Sequence, residues 1–530
     1  MRALLLFRDR AFDPYFLLRD RFRREEVDWH RGLLPAVRAL VQDLELDTLL
    51  GAMAGEDEFV LDVARKVVLT GFENDLDTVR YRQAALRDCL KNPEAARAFY
   101  NLTVEAIEAC RKKGWSLTSH YAGSMLYNAL DMLEVLLVML RKLRDMAAAQ
   151  TGFVSEAFTN LFAMLQRELD DDYLVLIEHY LKDLKFRKGV LMSAELGDWN
   201  ESKNYVLRLV RGKDPNWFQR LLGKKVPGLT FELDERDEAG ARILGEMRQK
   251  GISRVAIAMA QSSDHVLSFF RMLRTELAFY VACLALYDRL SSKSEPMCFP
   301  DPEPAGSGAR AFEGLYDPCL SLHMTGRVVG NRAVADGRSL VIITGANQGG
   351  KSSFLRSVGL AQVMMQCGMF VAAESFRGDL CPALFTHYKR AEDATMTKGK
   401  LDEELARISD IVDALKPNSL LLFNESFAAT NEREGSEIAR QVVTALLDKG
   451  MKVFYVTHLY EFARSFAENN SGNAFFLRAE RKDDGTRTFR IQEGEPLETS
   501  YGEDLYQKIF ESPGETQEVP LNGVGSTRSD

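Results

Sequence analysis

The sequence lacks the features of several protein classes. No apolar run approaches the roughly 20 residues of a membrane-spanning helix, and the apolar stretch after Met1 is too short for a signal peptide. The seven cysteines are scattered and include no Cys-x-x-Cys pair, which argues against a disulfide framework or a zinc site and fits reduced thiols in the cytoplasm. Positive charge is not in excess: the net charge of −9 excludes a uniformly basic nucleic-acid binder, but not a local basic patch.

The composition is that of a soluble globular protein with several domains. The 530 residues are 46% hydrophobic and 27% charged, so large cores can be buried. Composition changes at the Pro-rich segment 291–310, which predicts a linker. We therefore expect a helical part over residues 1–290 and an α/β part over residues 311–511. The polar residues 512–530 are expected to be disordered.

Helical periodicity dominates the part before the linker. Apolar residues from Leu126 to Leu143 recur at helical spacing, and the same style continues over 158–184 and 238–290, which predicts a bundle of long helices. Two strand-like runs, 189–193 and 205–210, interrupt this pattern. We expect a small β-containing insertion over residues 189–233.

Strands and helices alternate after the linker. Short apolar runs at 339–344, 419–423 and 452–457 predict buried strands of a doubly wound α/β sheet. Two further runs, 475–477 and 487–491, flank an Asp-Gly turn and predict a hairpin.

The first chemical motif directly follows the first of these strands. Residues Gly345–Ser352 read GANQGGKS and match the pattern G-x-x-x-x-G-K-[ST] of a P-loop. In such a loop, backbone N–H groups and a helix N-terminus bind phosphates. We expect Lys351 to reach the β- and γ-phosphates and Ser352 to ligate Mg²⁺. A chance Gly-rich turn is the alternative.

The second motif is an apolar strand that ends in Asn424 and Glu425. Two acidic residues at this place would form the Walker B motif of an ABC-type ATPase. Asn424 replaces the first acid, and its amide can still accept a hydrogen bond from a metal-bound water, without charge. Glu425 is the candidate general base. The alternative is that these residues merely cap a helix after a buried strand.

The third motif is a strand that ends in His458. A single histidine is more often structural than catalytic. After a P-loop and a strand ending in Glu425, however, His458 is a candidate for the residue that senses the γ-phosphate in ABC-type ATPases.

Together these motifs resemble the MutS family. The segment 343–360 is similar to its P-loop, 420–439 to its Walker B motif and D-loop, 455–463 to its switch-histidine strand and 499–510 to its closing Ser-Tyr-Gly segment. Residues 316–318 and 329–331 resemble the stretch that lines the nucleotide base. Residues 79–83 and 269–290 resemble its core and lever helices more weakly.

The resemblance implies a multidomain fold and a set of site residues. The fold is a mostly α-helical core and lever bundle followed by an α/β P-loop ATPase domain of the ABC type, without the N-terminal mismatch-recognition domain. ATP and Mg²⁺ are the implied cofactors, and Mg²⁺ would meet Ser352 and, through water, Asn424. The implied nucleotide-binding residues are Asn331, Gly345, Asn347, Gly349, Gly350, Lys351, Ser352 and Ser353.

The family also implies a homodimer through the ATPase domains, with each nucleotide contacted from the partner subunit. The residues expected to make that contact are Gly399, Lys400, Thr430 and Asn431. The signature region near Gly399 lacks the usual serine. Duplex DNA is the implied partner, bound without sequence specificity, in the cytoplasm and without a membrane.

One local basic stretch offers a DNA contact within the expected insertion. A solvated surface is the equal alternative. The candidates are Lys203, Arg208, Arg211, Lys213, Arg220, Lys224 and Lys225.

Two functional hypotheses follow. In the first, a MutS-like ATPase couples ATP binding and hydrolysis at a dimer interface to the movement of DNA-clamping arms, in mismatch repair or related DNA metabolism. In the second, a nucleotide-gated clamp or scaffold hydrolyses little ATP, because of Asn424, and binds branched DNA, RNA or a protein.

Overall fold

A computed structural model describes ten stretches of the chain, which form two compact units. Unit one comprises the described residues of 1–27, 50–289 and 367–369, and unit two those of 28–49, 290–366 and 370–530. The described stretches are 1–12, 34–113, 121–187, 189–198, 201–208, 232–234, 236–390, 399–468, 472–482 and 486–497.

Helices form most of the described part of unit one. A hydrophobic stripe on each helix packs inward, and Asp57, Asp75 and Asp170 cap three of the helices by accepting hydrogen bonds from first-turn N–H groups. Two helices cross the unit boundaries at their ends: α2, Leu46–Ala54, and α9, Glu238–Ser291. The other helices are α3 Glu58–Leu69, a 3₁₀ turn Gly71–Glu73, α4 Leu76–Lys91, α5 Pro93–Lys112, α6 Ala122–Ala148, α7 Glu156–Glu168 and α8 Asp171–Leu184.

Helix α6 is long and apolar enough, by length and composition, to cross a membrane. This differs from the prediction that no apolar run could span a membrane, because Glu134 interrupts the apolar stretch of this helix. Side chains such as Leu130, Leu136 and Leu143 are buried in the helical unit. A buried core helix meets the same criteria, so this finding is weak evidence for a membrane span.

The segment 1–12 buries Leu5, Leu6 and Phe12 in unit one, where buried polar groups bind its backbone. Glu276 on α9 accepts hydrogen bonds from the backbone N–H groups of Leu5, Leu6 and Phe12. Arg82, 1% exposed, donates from Nε to the Leu6 carbonyl over 2.9 Å. Burial raises the pKa of Glu276 to about 7.

The insertion predicted over 189–233 contains an antiparallel hairpin. Strand β1, Leu191–Leu196, pairs with β2, Ser202–Arg208, with an irregular register between Ser193 and Glu195. Most of the expected insertion after β2 lies outside the described residues.

Unit two is built on a six-stranded sheet in the order β12-β11-β6-β10-β9-β8, parallel except for β12. Its strands are β6 Leu340–Gly345, β8 Leu384–Tyr388, β9 Leu420–Asn424, β10 Lys452–Val456, β11 Ala474–Arg481 and β12 Arg487–Glu493. Its helices are α1 Pro35–Asp43, α10 Pro318–His323, α11 Lys351–Gln366, α12 Lys400–Ala414, α13 Glu432–Asp448 and α14 Tyr460–Glu468.

One core of unit two joins the middle strands to the helices beside them. Phe423 and Tyr455 stack at 5.1 Å between ring centroids, and Val443 of α13 and Phe462 of α14 complete that cluster. Burial along nearly the whole of β6, β9 and β10 explains their mostly apolar sequences.

A second sheet alters the predicted boundaries. Its order is β3-β7-β4-β5, with β3 Asp301–Glu303, β4 Arg310–Leu315, β5 Asn331–Val334 and β7 Ser375–Asp379. The segment 291–310, predicted to be a linker, therefore contributes a strand, because β3 pairs in parallel with β7. Residues 34–49, predicted to belong to the helical part, fall in unit two, where α1 packs on β8. The expected disordered tail 512–530 lies outside the described residues.

Candidate functional site

The candidate site lies at the carboxyl ends of three adjacent parallel strands. Strand β6 leads into the P-loop, β9 ends at Asn424, and β10 lies between them and leads to His458. Because parallel strands end at one edge of a sheet, residues far apart in sequence converge there.

The P-loop folds around its own lysine. Lys351 donates from Nζ to the carbonyl oxygens of Gly345 and Ala346 at 2.8 and 2.9 Å. Gly345 and Gly350 have φ values of +106° and +87°, which side chains other than glycine rarely adopt. Helix α11 begins at Lys351, so its free N–H groups face the loop. The loop thus presents a cation and backbone donors to an anion.

Burial changes the charge state of Lys351. Only 5% of the residue is exposed, and burial lowers the pKa of its ammonium to about 8, although the Glu425 carboxylate opposes that shift. The lysine is therefore mostly protonated at neutral pH and loses its charge at mildly alkaline pH.

Ser352 and Asn424 meet at the place predicted for a metal. The Ser352 hydroxyl donates to Asn424 Oδ1 over 3.0 Å. Both oxygens are neutral, and the described residues contain no cluster of three His, Cys, Asp or Glu side chains suited to a metal ion. The pair can contribute oxygen ligands to a hard cation, whose charge would have to be balanced mainly by another anion.

Glu425 and His458 form a hydrogen-bonded pair. The distance from Glu425 Oε1 to His458 Nε2 is 2.9 Å, so Nε2 carries the proton and donates. This hydrogen bond, and the charges of His458 and Lys351, lower the pKa of the Glu425 carboxyl. Glu425 also has a φ of +55°, which is rare for a residue with a long side chain and is typical of functional sites.

A pocket of about 440 Å³ adjoins the P-loop, within the size range of small-molecule sites. Asn331 lines it and accepts a hydrogen bond at Oδ1 from the Ile491 N–H over 2.7 Å. The buried Tyr316 hydroxyl at its wall has no hydrogen-bond partner among the described residues. The predicted nucleotide-binding residues that line the pocket are Asn331, Asn347, Gly349, Gly350, Lys351, Ser352 and Ser353.

Strand β12 supplies side chains that the motifs did not indicate. Phe489 lines the pocket, is 52% exposed and has a φ of +59°. Arg487 donates to Gln348 of the P-loop over 3.3 Å, and its charge contributes to the lowered pKa of Lys351. The sequence predicts the hairpin that contains these residues. It does not predict that the hairpin lies beside the P-loop, because that position depends on the order of the strands in the sheet.

The residues predicted to contact a partner's nucleotide have local roles in this subunit. Gly399 precedes the first residue of α12, Lys400. Asn431 caps α13 by accepting the Glu434 N–H, and Thr430 donates to the Glu434 carboxylate. Their contact with a second subunit stays a prediction.

Two of the DNA-binding candidates lie on the described hairpin. Lys203 pairs with Glu201 at 2.8 Å, and Arg208 donates to Ser193 Oγ over 2.9 Å. The other candidates lie outside the described residues: Arg211, Lys213, Arg220, Lys224 and Lys225. The two described cations therefore already have neighbouring partners.

Both parts of the chain match models of known protein families. Residues 74–293 match the family model of the MutS2 N-terminal domain, and residues 341–513 match that of MutS domain V. The second match spans the P-loop, Asn424, Glu425 and His458.

Individual relatives match one segment. The chain is 31% identical over 166 residues to proteins named DNA mismatch repair protein MutS from Streptococcus equi, Streptococcus mutans and Streptococcus pyogenes. The matched segment covers 31% of this chain and 19% of each relative, so the chain spans about a fifth of the length of the curated relatives it matches.

Proposed function

Since this chain belongs to the MutS family, we propose that it is an ATP-dependent DNA-binding protein that hydrolyses ATP where two copies of unit two meet. The observation that carries this proposal is the convergence of Lys351, the Ser352–Asn424 pair and the Glu425–His458 pair at one sheet edge. Phosphate binding, metal ligation and activation of water need these three groups together.

The residues fit Mg²⁺ bound with a nucleotide. Ser352 Oγ and Asn424 Oδ1 would hold the ion, directly and through water, and its charge would neutralise phosphate oxygens. Because both protein ligands are neutral, affinity for the ion depends chiefly on the nucleotide. We therefore expect weaker Mg²⁺ binding than with an aspartate at residue 424.

Glu425 is the proposed general base and His458 its partner. The lowered pKa of Glu425 keeps the carboxylate ionised at neutral pH, ready to accept a proton from water. The His458 Nε2–H orients that carboxylate. Lys351 balances charge on the phosphates, and the wall with Tyr316, Asn331 and Phe489 accommodates the remainder of the nucleotide.

The partners follow from the family. We propose a homodimer through unit two, with Gly399, Lys400, Thr430 and Asn431 facing the partner's nucleotide. We also propose that the insertion over residues 189–233 contacts the DNA backbone without reading sequence, and that the protein acts in the cytoplasm. The name of the relatives, DNA mismatch repair protein MutS, supports a role in mismatch repair or related DNA metabolism.

Substitutions at the site test the ATPase. Lys351→Ala should weaken ATP binding by about tenfold to a hundredfold, because an ionic hydrogen bond contributes about 1.5–3 kcal/mol. Glu425→Gln should keep ATP binding and lower turnover by about a hundredfold or more. Normal nucleotide affinity in Lys351→Ala, measured by calorimetry, would overturn the site.

Asn424 supports a second candidate, a nucleotide-gated clamp that hydrolyses little ATP. The variant Asn424→Asp separates the two, because it restores a charged metal ligand. If metal affinity limits wild-type turnover, this variant should hydrolyse faster and need less Mg²⁺. Wild-type turnover no higher than that of Glu425→Gln would favour the clamp.

DNA binding is tested by a salt titration. Homoduplex, mismatched and branched DNA are compared by fluorescence anisotropy, with and without ATP. Phosphate contacts predict affinity that falls steeply with salt on all three DNAs. No binding at low ionic strength would exclude DNA as the partner and favour RNA or a protein.

A further inference from the structure

The three residues after β9 form a strained loop that carries Glu425. Glu425 and Phe427 both have positive φ values, +55° and +61°. A residue with a large side chain in this conformation costs on the order of 1–3 kcal/mol and persists only where its surroundings fix it. Neighbouring side chains must therefore fix the conformation of this loop, and the contacts of Ser426 and Phe427 show which ones do.

Two buried side chains, one on α12 and one on β8, hold the loop. Glu404 on α12, 2% exposed, accepts the Phe427 N–H at Oε2 over 2.7 Å. His387 on β8 is 2.6 Å from the Ser426 hydroxyl through Nδ1 and 3.1 Å from the Glu404 carbonyl oxygen through Nε2.

The protonation of His387 is fixed by its surroundings. Burial lowers its pKa to about 3, so the ring is neutral near pH 7 and carries one proton. That proton lies on Nε2, which donates to the Glu404 carbonyl, so Nδ1 is an acceptor. The single proton of the Ser426 hydroxyl is shared between His387 Nδ1 and the His387 carbonyl oxygen, which lies 2.7 Å from Ser426 Oγ. Tyr455 donates to the Ser426 carbonyl over 2.9 Å and completes the network.

The network joins two parts of the proposed ATPase. Glu404 lies in the first turns of α12, the helix that begins at Lys400 beside Gly399. The Glu404 carboxylate accepts the hydrogen bond of the Phe427 N–H, and Phe427 lies two residues after Glu425. We propose that Glu404 is a positioning residue that links the start of α12, where the partner's nucleotide would bind, to the orientation of Glu425 in the same subunit. This inference rests on the proposed ATPase function.

A graded series at residue 404 tests the inference in the full chain. Glu404→Ala removes the acceptor, Glu404→Asp draws it back by one methylene, and Glu404→Gln keeps an oxygen at the same reach. Asp410→Ala, an exposed carboxylate on the same helix, is the control. ATP affinity is measured with a fluorescent ATP analogue, hydrolysis by single turnover with enzyme in excess, and the Phe427 segment by hydrogen exchange.

The expected result separates catalysis from binding. Hydrolysis should fall about tenfold to a hundredfold in Glu404→Ala and Glu404→Asp, because small displacements of a catalytic group are costly, while the ATP dissociation constant stays within about twofold. Glu404→Gln should restore most of the rate despite its lost charge. Exchange at Phe427 should quicken in the slow variants only.

Several outcomes would overturn the inference. Wild-type hydrolysis in Glu404→Asp, or equal losses in Glu404→Gln and Glu404→Ala, would do so. If Glu404→Ala does not fold, the Asp and Gln variants decide. A wild type that binds ATP but does not hydrolyse it in a single turnover also overturns it, because no base is then being positioned. A wild type that does not bind ATP would instead refute the proposed function itself.

Discussion

The buried lysine of the P-loop predicts an unusual pH dependence of nucleotide binding. The pKa of Lys351 is lowered to about 8 in the free protein. Phosphates bound beside the ammonium favour its charged form, so the nucleotide complex has a higher pKa. Raising the pH above 8 should therefore weaken nucleotide binding, because Lys351 must take up a proton when the nucleotide binds.

The size of the effect follows from that pKa. The charged fraction of Lys351 falls from about three quarters at pH 7.5 to about 3% at pH 9.5. Affinity should fall by about 25-fold over this range, or about 2 kcal/mol. A lysine with an ordinary pKa near 10.4 would give a change of only about 10%.

The assay is equilibrium anisotropy with a fluorescent ADP analogue at saturating Mg²⁺, with circular dichroism to verify the fold at each pH. Lys351→Met is the matched control, since it keeps the length of the side chain and has no titrating group. It should bind weakly and without this pH slope. A wild-type affinity that stays constant to pH 9.5 would refute the proposed coupling between lysine burial and phosphate binding.

Three further results are expected. Because the pKa of Glu276 is raised in the folded protein, this residue stabilises unit one most below pH 4.5. That contribution, about 3 kcal/mol, is lost as the pH rises through about 7. The variant Glu276→Gln should therefore remove this pH dependence from the denaturant midpoint of unfolding. Gly350→Ala should lower stability by about 1–2 kcal/mol and weaken ATP binding, because φ is +87°, whereas Gly326→Ala, in open space, should change neither. Phe489→Ala should raise the ATP dissociation constant about fivefold, the loss of about 1 kcal/mol of aromatic contact, and a titration showing no change would contradict its place in the pocket.

The sequence indicates the side chains of the candidate site because each follows a recognisable strand. Lys351 and Ser352 lie within one contiguous loop, and Glu425 and His458 each end a run of apolar residues. Parallel pairing of β6, β9 and β10 then brings these ends together. Local pattern and general sheet rules were sufficient for this part of the site.

Other site residues depend on pairing that no local pattern specifies. Phe489 reaches the pocket, and Arg487 reaches Gln348 of the P-loop, because β12 pairs with β11, whose Ala479 is in register with Gly345. Glu404 and His387 contact the loop that carries Glu425 through the Phe427 N–H and the Ser426 hydroxyl, respectively. Amphipathic periodicity predicts that a helix buries one face, but not which core receives it.

The packing of α1 on β8 has a consequence for synthesis of the chain. Helix α1, which includes buried Leu40 and Val41, leaves the ribosome about 340 residues before β8 and must wait for its partner. A fragment beginning at residue 291 would lack this cover and expose apolar surface along β8, an edge strand prone to aggregation. Because the two units interleave along the chain, a contiguous fragment that includes α1 and the α/β half also includes residues 50–289 of unit one. We therefore expect expression of the α/β half to require the helical unit as well.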